Sequence, residues 1–418
     1  MSSRKHDRQY DLVLLGATGY TGAMTAEQIT AHLPTDLKWA VAGRSADKLK
    51  NVTEECKPIN PDRTQPDIMV VDLNDTGLRA LAKKTFILIT TVGPYERYGE
   101  HAVKACAGEG THYIDCTSET PWVSRIIKDY HDKARATGAI MVPQCGIDSA
   151  PSDLLTWALA QRIKSELSVQ VGDVIIDLHE LQSQPSGGTI ASMLGLFDNF
   201  TLNEFLEILR PYALSPVQNS HRGPKSSIWS KLTGLYSFPN LGLLGNSINA
   251  TFNSAIVWRT WGLLQTEDSL RGQSYGPKFS YQEFMKVKSY LAGIVLHYVM
   301  IMGGFLLLIP PFRSLIRRLV YVPGDGPDKD AAKKEYSEFR GTANPDPQQE
   351  SSQQAFGRVY YTGSMYGMTA VFLAQAASTI LRETIELKGG IYTPACLGQK
   401  YIDHLNDAGL KVETQMMK

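Results

Sequence analysis

The chain carries no excess of either charge: 42 Lys and Arg stand against 42 Asp and Glu in 418 residues. Without a net field to draw in a polyanion, a nucleic-acid partner is not expected. Cysteine is scarce. The five residues, at 56, 106, 116, 145 and 396, contain no C-x-x-C pair and make an odd number, which argues against a zinc ribbon or a disulfide framework and fits a reducing compartment. The nine histidines never fall at H-x-x-x-H spacing, so no metal site is expected. No long apolar core or small-residue cleavage site follows Arg4, Lys5, Asp7 and Arg8, and no secretory signal is expected. Nor is there an internal repeat.

What is present is an ordinary globular composition, 43% hydrophobic and 20% charged, long enough for two or three domains. From Tyr10 to Val142 short apolar segments (YDLVLL, LKWAVA, DIMVVD, TFILITT, AIMVP) alternate with stretches long enough for helices. Each parallel crossover needs a dozen or more residues, so this pattern predicts an α/β fold: a doubly wound, mostly parallel sheet covered on both faces. A strand-like VGDVIIDLHEL near Gly172, followed by Gly187, Gly188 and an apolar, helix-like run to about Leu209, opens a second domain of α+β character. Domains are therefore expected at 1–150, 151–360 and 361–418, the last as helices packing back on the first. Polar, Pro-rich Asp325–Gln354 reads as a loop or short disordered insertion, and a strand-like QAFGRVYYTG follows it.

The 22 residues from Leu291 to Phe312 contain no Asp, Glu, Lys or Arg, and Arg313, Arg317 and Arg318 follow at once. As one helix they would extend roughly 33 Å, about a bilayer core. Two readings compete: a membrane or lipid-droplet anchor, placing the protein on the cytoplasmic face of such a surface, or a buried or dimer-interface helix in a soluble cytoplasmic protein.

Directly after the first strand stands Gly16-Ala17-Thr18-Gly19-Tyr20-Thr21-Gly22, running into a helical segment. At this position in a βαβ unit, Gly16 permits the tight turn, Gly19 the approach of a pyrophosphate, and Gly22 close helix packing, with helix amides facing the phosphates. The second strand ends at Ala42-Gly43-Arg44-Ser45, without the acid that accepts a ribose 2′-hydroxyl in NAD enzymes. Arg44 and Ser45 suit a 2′-phosphate, so NADP is the expected cofactor. Asp72, after the third strand, either approaches the adenine or caps the next helix.

These residues, joined to Gly93-Pro94-Tyr95, Tyr113-Ile114-Asp115, the run Cys145–Asp153 (CGIDSAPSD), Ser186-Gly187-Gly188-Thr189 and the late GGIYTPACLG, resemble the saccharopine dehydrogenase-like oxidoreductase family, which includes the trans-acting enoyl reductases. The resemblance spans most of the chain. It implies a Rossmann domain, NADP(H) and an inserted second domain, and it leaves the substrate open, since members differ in chemistry. Ile147 departs from the family's usual G-F-D-S-x-P-S-D, and Asp148 is retained.

Hydride transfer needs a donor where negative charge develops. The fourth strand delivers Gly93 and Pro94 to the carboxyl edge of the sheet beside the cofactor, and Tyr95 and Tyr98 with them as candidate donors. Asp148 reaches the same edge; it accepts there from the ribose or nicotinamide amide, serves as a proton shuttle if burial raises its pKa, or simply caps a helix. Ser186, Gly187, Gly188 and Thr189 open a helix whose amides suit a substrate carboxylate, thioester oxygen or phosphate, or merely cap it. The apolar second domain favours a hydrophobic, free or carrier-bound enoyl or carbonyl substrate. A saccharopine-type amino-acid oxidoreductase and a non-catalytic dinucleotide-binding protein are the alternatives.

Overall fold

The structure, a computed structural model, describes residues 6–183, 195, 197–221, 223–320, 332, 334–349 and 351–417, without the side chains of 317–320. It divides into two compact units. The first takes the chain up to Ala150 together with Met365–Gly409, and the second takes the intervening chain and the residues from Leu410.

The first unit is built on a parallel seven-stranded sheet of β1 (Tyr10–Leu15), β2 (Trp39–Gly43), β3 (Asp67–Val70), β4 (Thr85–Thr90), β5 (His112–Asp115), β6 (Ile140–Val142) and β13 (Gly390–Ile391). Their order is β13-β6-β5-β4-β1-β2-β3. Between strands run α1 (Tyr20–His32), α2 (Ala46–Cys56), α3 (Asp75–Lys84), α4 (Tyr95–Tyr98), α5 (Glu100–Glu109) and α6 (Thr120–Thr137). β2 and β5 are buried at every residue, as expected of strands covered on both faces, whereas β3 is the exposed edge. The order reverses between β1 and β4, which places the ends of these two strands at a topological switch point. The Ala-rich α13 (Met365–Arg382) is buried at 16 of its 18 residues, and α14 (Gly398–Asp407) follows a 3-10 turn at Pro394–Leu397.

The second unit holds α7 (Ala150–Leu167), β7 (Val171–Gln182), α8 (Leu202–Ile208), α9 (Ile228–Thr233), β8 (Leu235–Phe238), β9 (Gly242–Asn246), α10 (Ala250–Thr266), β10 (Ser280–Lys286), α11 (Tyr290–Leu307), α12 (Pro310–Val320), β11 (Tyr336–Pro345), β12 (Ala355–Thr362) and β14 (Lys411–Met416). Its seven strands run β14-β12-β11-β7-β10-β9-β8, with only β7 and β10 parallel. Glycines at strand positions 341 and 357 admit α7: a Cβ there would press on Leu159 and Leu155. Glu283, buried on β10, accepts from Ser152 Oγ (2.9 Å), Asn253 Nδ2 (3.0 Å) and Tyr281 Oη (2.6 Å), and so ties α7, α10 and the sheet together.

Three expectations are corrected. The polar stretch 325–354 contains β11, a strand paired on both sides, whose Ser337, Glu338 and Thr342 are buried because the strand lies inside the sheet. The C-terminal segment does not end in helices, since β14 completes the sheet of the second unit. The apolar run 291–312 is not one helix: α11 stops at Leu307, and Pro310, which cannot donate to a preceding turn, begins α12.

Candidate active site

The glycine loop is dictated by three separate demands. Gly16 has φ +92°, and a Cβ there would meet Thr91 Oγ1 and Val92 Cγ2 at 2.8 Å; its amide donates to the Ala42 carbonyl at 2.9 Å. Gly22 lies flat on the Gly16 carbonyl, where a Cβ has no room. Gly19 is different. Its backbone is extended (φ −80°, ψ 163°), it is solvent-exposed, and a Cβ would meet only the Gly16 oxygen at an ordinary 3.5 Å. The protein's own packing therefore gives no reason for glycine at 19. Thr18 is exposed beside it, Tyr20 and Thr21 are half-buried at the start of α1, and no side chain caps that helix's amino end. By contrast, Ser45 caps α2 by accepting from the Lys48 amide at 3.4 Å.

Arg44 is exposed at the end of β2 and has no ion-pair partner among the described residues, while Ser45 is half-buried and engaged through its oxygen in the cap. Asp72 is exposed two residues beyond β3. It is not the cap of α3: Asn74 takes that place, accepting from the Gly77 amide at 2.9 Å.

At the end of β4, Gly93 and Pro94 turn the chain through a cis peptide into α4. The buried Glu119 holds this turn, its two oxygens accepting from the Tyr95 and Glu96 amides at 2.8 Å each. Tyr95 is buried, with its hydroxyl donating to the Thr90 carbonyl at 3.0 Å and lying 3.3 Å from Cys116 Sγ; burial pushes its pKa well up. Its proton is thus committed inside the protein. Tyr98 is half-buried beneath the Arg97 guanidinium, 5.2 Å from the ring centroid. Asp148 sits in the turn after β6 and makes no side-chain hydrogen bond among the described residues, so it is not a helix cap; burial raises its pKa. The loops after β4, β5 and β6 thus bring Tyr98 and Asp148 to the same carboxyl edge of the sheet as the glycine loop.

Residues 12–142 match the saccharopine dehydrogenase NADP binding domain. A putative trans-acting enoyl reductase of Mycobacterium tuberculosis is 31% identical over 430 residues, covering 97% of this chain and 98% of that protein. The trans-acting enoyl reductase of Mycobacterium leprae is 30% identical over 435 residues, with the same coverage. The chain belongs to the saccharopine dehydrogenase-like oxidoreductases. Among solved structures, apo saccharopine dehydrogenase (L-Glu forming) of Saccharomyces cerevisiae superposes with a TM-score of 0.57 over 98% of this chain and 100% of that one, at 11% identity, a likeness of fold. As a member of this family the protein is an NADP-dependent oxidoreductase.

Ser186, Gly187, Gly188 and Thr189 lie outside the described residues. Two members of the site have no role assigned from the sequence, although Asp115 belongs to a motif that carries the family resemblance. Glu119 acts through a contact more than twenty residues away in sequence, which leaves no local signal. Asp115, at the end of β5, accepts at Oδ1 from the Thr117 and Gln144 amides (2.9 Å each) and at Oδ2 from Tyr113 Oη (2.7 Å), stapling the loop after β5 to the loop carrying Asp148. Desolvation outweighs these bonds and raises its pKa to about 6. A folded-state pKa above the unfolded value favours the native state at low pH, and that advantage is lost as pH rises from about 4 to about 6. Asp115→Asn keeps the Oδ1 acceptor and removes the charge. Chemical denaturation should show the wild type losing on the order of 2 to 3 kcal/mol across this window relative to the variant. Parallel pH profiles for the two would refute this role.

Proposed function

We propose that this protein is an NADPH-dependent reductase of a hydrophobic enoyl or carbonyl compound, taken free or as a thioester on a carrier protein. The observation that carries the reading is the relationship over almost the whole chain to proteins named trans-acting enoyl reductases. In this reading Gly19 and the amino end of α1, from Thr18 to Gly22, face the pyrophosphate; Gly16 sets the turn. Arg44 meets the 2′-phosphate with Ser45 beside it, Asp72 lies toward the adenosine, and Gly93 and Pro94 line the nicotinamide end. The space at Gly19 and the exposed Arg44, without an ion-pair partner among the described residues, fit such a ligand.

Bound NADPH supplies the hydride. Asp148, whose pKa is raised by desolvation, donates the proton that balances the reduced substrate, and Tyr98 orients the acceptor oxygen. Tyr95 positions the loop instead, because its hydroxyl is bonded to the backbone. Glu119 holds that loop from beneath.

Arg44→Asp should erase or reverse the preference for NADPH over NADH, since a charge-assisted pair contributes roughly 1.5 to 3 kcal/mol, about ten- to a hundredfold in affinity. Titrating both nucleotides against wild type and variant tests this; equal wild-type affinities would sink it. Turnover separates the activities: NADPH consumption with long-chain enoyl thioesters or ketones supports the reading, activity confined to amino-acid and keto-acid pairs favours an amino-acid oxidoreductase, and tight binding without product favours a non-catalytic role.

We further propose that the enzyme works at the cytoplasmic face of a membrane or lipid droplet. In support, α11 is long and apolar enough to cross a membrane by length and composition, and only Gly293 and His297 of its 18 residues are buried. A second copy of the chain seated on the same face, as a homodimer, is the competing arrangement.

A further inference from the structure

Resting on the membrane reading, we propose that the second unit carries a monotopic wedge that enters one leaflet of an anionic phospholipid membrane and does not span it. α11 and the equally long α13 make the contrast: both are apolar, yet α13 is core and α11 lies open. On the exposed side Leu291 is 73% accessible and Phe305 64%. α9, joined to α11 by the Tyr298 hydroxyl, which donates to the Leu232 carbonyl at 3.1 Å, exposes Ile228 (79%) and Trp229 (72%). Two neighbouring helices thus leave large apolar and aromatic side chains uncovered.

Geometry rules out a span. The amino half of α11 is fixed sideways to the sheet: a Cβ on Gly293 would strike Leu235, and the buried His297 pairs through Nδ1 with Asn246 Nδ2 at 2.8 Å. The carboxyl end of α11 is held as well, so the helix lies along the unit and offers a side, not a tip, to a leaflet. Arg313, paired with Asp198, donates from Nη1 to the Leu307 carbonyl at 2.7 Å and closes the turn into α12. A carboxyl end satisfied in this way suits a helix that lies in one leaflet.

Charge selects the membrane. No Asp or Glu occurs between Glu207 and Glu267, or between Glu283 and Asp325, the two segments that hold α9 and α11. Lys225 precedes α9, Lys231 lies on it and Lys288 precedes α11, all three exposed and without acidic partners among the described residues. Apolar helices carrying such lysines match a leaflet bearing anionic headgroups, whereas a self-associating face would set these lysines against one another.

Flotation of the full chain with phosphatidylcholine vesicles, with and without phosphatidylglycerol, tests this. Binding should be roughly tenfold or more stronger with phosphatidylglycerol and should weaken in high salt. Val299→Glu combined with Phe305→Glu should abolish flotation, and Lys231→Glu with Lys288→Glu should reduce it to the level of phosphatidylcholine alone. Both variants alter exposed side chains and should retain NADPH affinity, which confirms folding. Equal binding to both vesicles overturns the anionic assignment while leaving membrane association standing. No flotation on either, with a dimer by light scattering that Val299→Glu dissociates, overturns both and makes the face a subunit interface. A wild-type protein bound to preformed vesicles that leaves α12 cleavable only from the lumen overturns the wedge in favour of a span.

Discussion

Gly19→Val should yield a folded protein that does not bind NADPH. At this position the backbone is extended, a conformation that valine adopts without strain, and the nearest atom to an added Cβ is the Gly16 oxygen at 3.5 Å. Thermal unfolding should stay close to that of the wild type. A pyrophosphate lying across the amino end of α1 needs the space that the side chain would fill, so affinity should fall by about a hundredfold or more, the equivalent of roughly 3 kcal/mol. Gly22→Val is the control that separates the two demands on the loop. Its Cβ has no room against the Gly16 carbonyl, so overpacking should destabilise the fold by about 1 to 3 kcal/mol or more. Fluorescence titration of NADPH with circular dichroism reads both effects. Wild-type affinity in Gly19→Val would mean that the nucleotide lies elsewhere.

Asp148→Asn should lower kcat by roughly a hundredfold or more and leave NADPH affinity little changed, because general acid catalysis typically contributes factors of 10² to 10⁴. The pH profile distinguishes a proton donor from a structural residue. Burial raises the pKa of Asp148, so its neutral, donating form persists above the usual carboxylate range and is lost as pH rises through that raised value. The wild-type kcat should therefore fall on the alkaline side, and Asp148→Asn should lack that limb. A variant retaining both the rate and the limb would transfer the role to another group, with Tyr98→Phe as the next test.

Much of the first unit is legible in the sequence because its demands are local. β1 is read to the residue as YDLVLL, and the glycine loop follows from a tight turn, a helix packed on it and an open amino end. What escapes is non-local. β5 is four residues, HYID, with polar ends and no alternation, and becomes a strand because β4 and β6 pair with it on both sides. β13 is two residues recruited to the sheet edge from about 250 residues away in sequence. β11 hides in a polar stretch because four of its seven buried positions are Ser337, Glu338, Gly341 and Thr342, with Glu338 paired to Arg340 at 2.9 Å. In the candidate site, Arg44 and Asp148 stand out by residue type and position. Glu119 and Asp115 do not, since each is defined by backbone amides that only the folded chain brings near. The apolar run at 291–312 shows the limit of composition. Hydropathy measures the cost of leaving α11 in water, and the same apolar character in α13 ends in the core.

An enoyl reductase delivers the hydride of NADPH to the β-carbon of its substrate. Purified full-length protein, given NADPH deuterated at both C4 positions and a long-chain enoyl thioester, should release a saturated product carrying one deuterium at the β-carbon, read by mass spectrometry, with much less product from the corresponding NADH. Tight NADPH binding with no deuterium in any enoyl or carbonyl substrate, or deuterium found only in an amino acid formed from a keto acid and an amine, would contradict the proposed function.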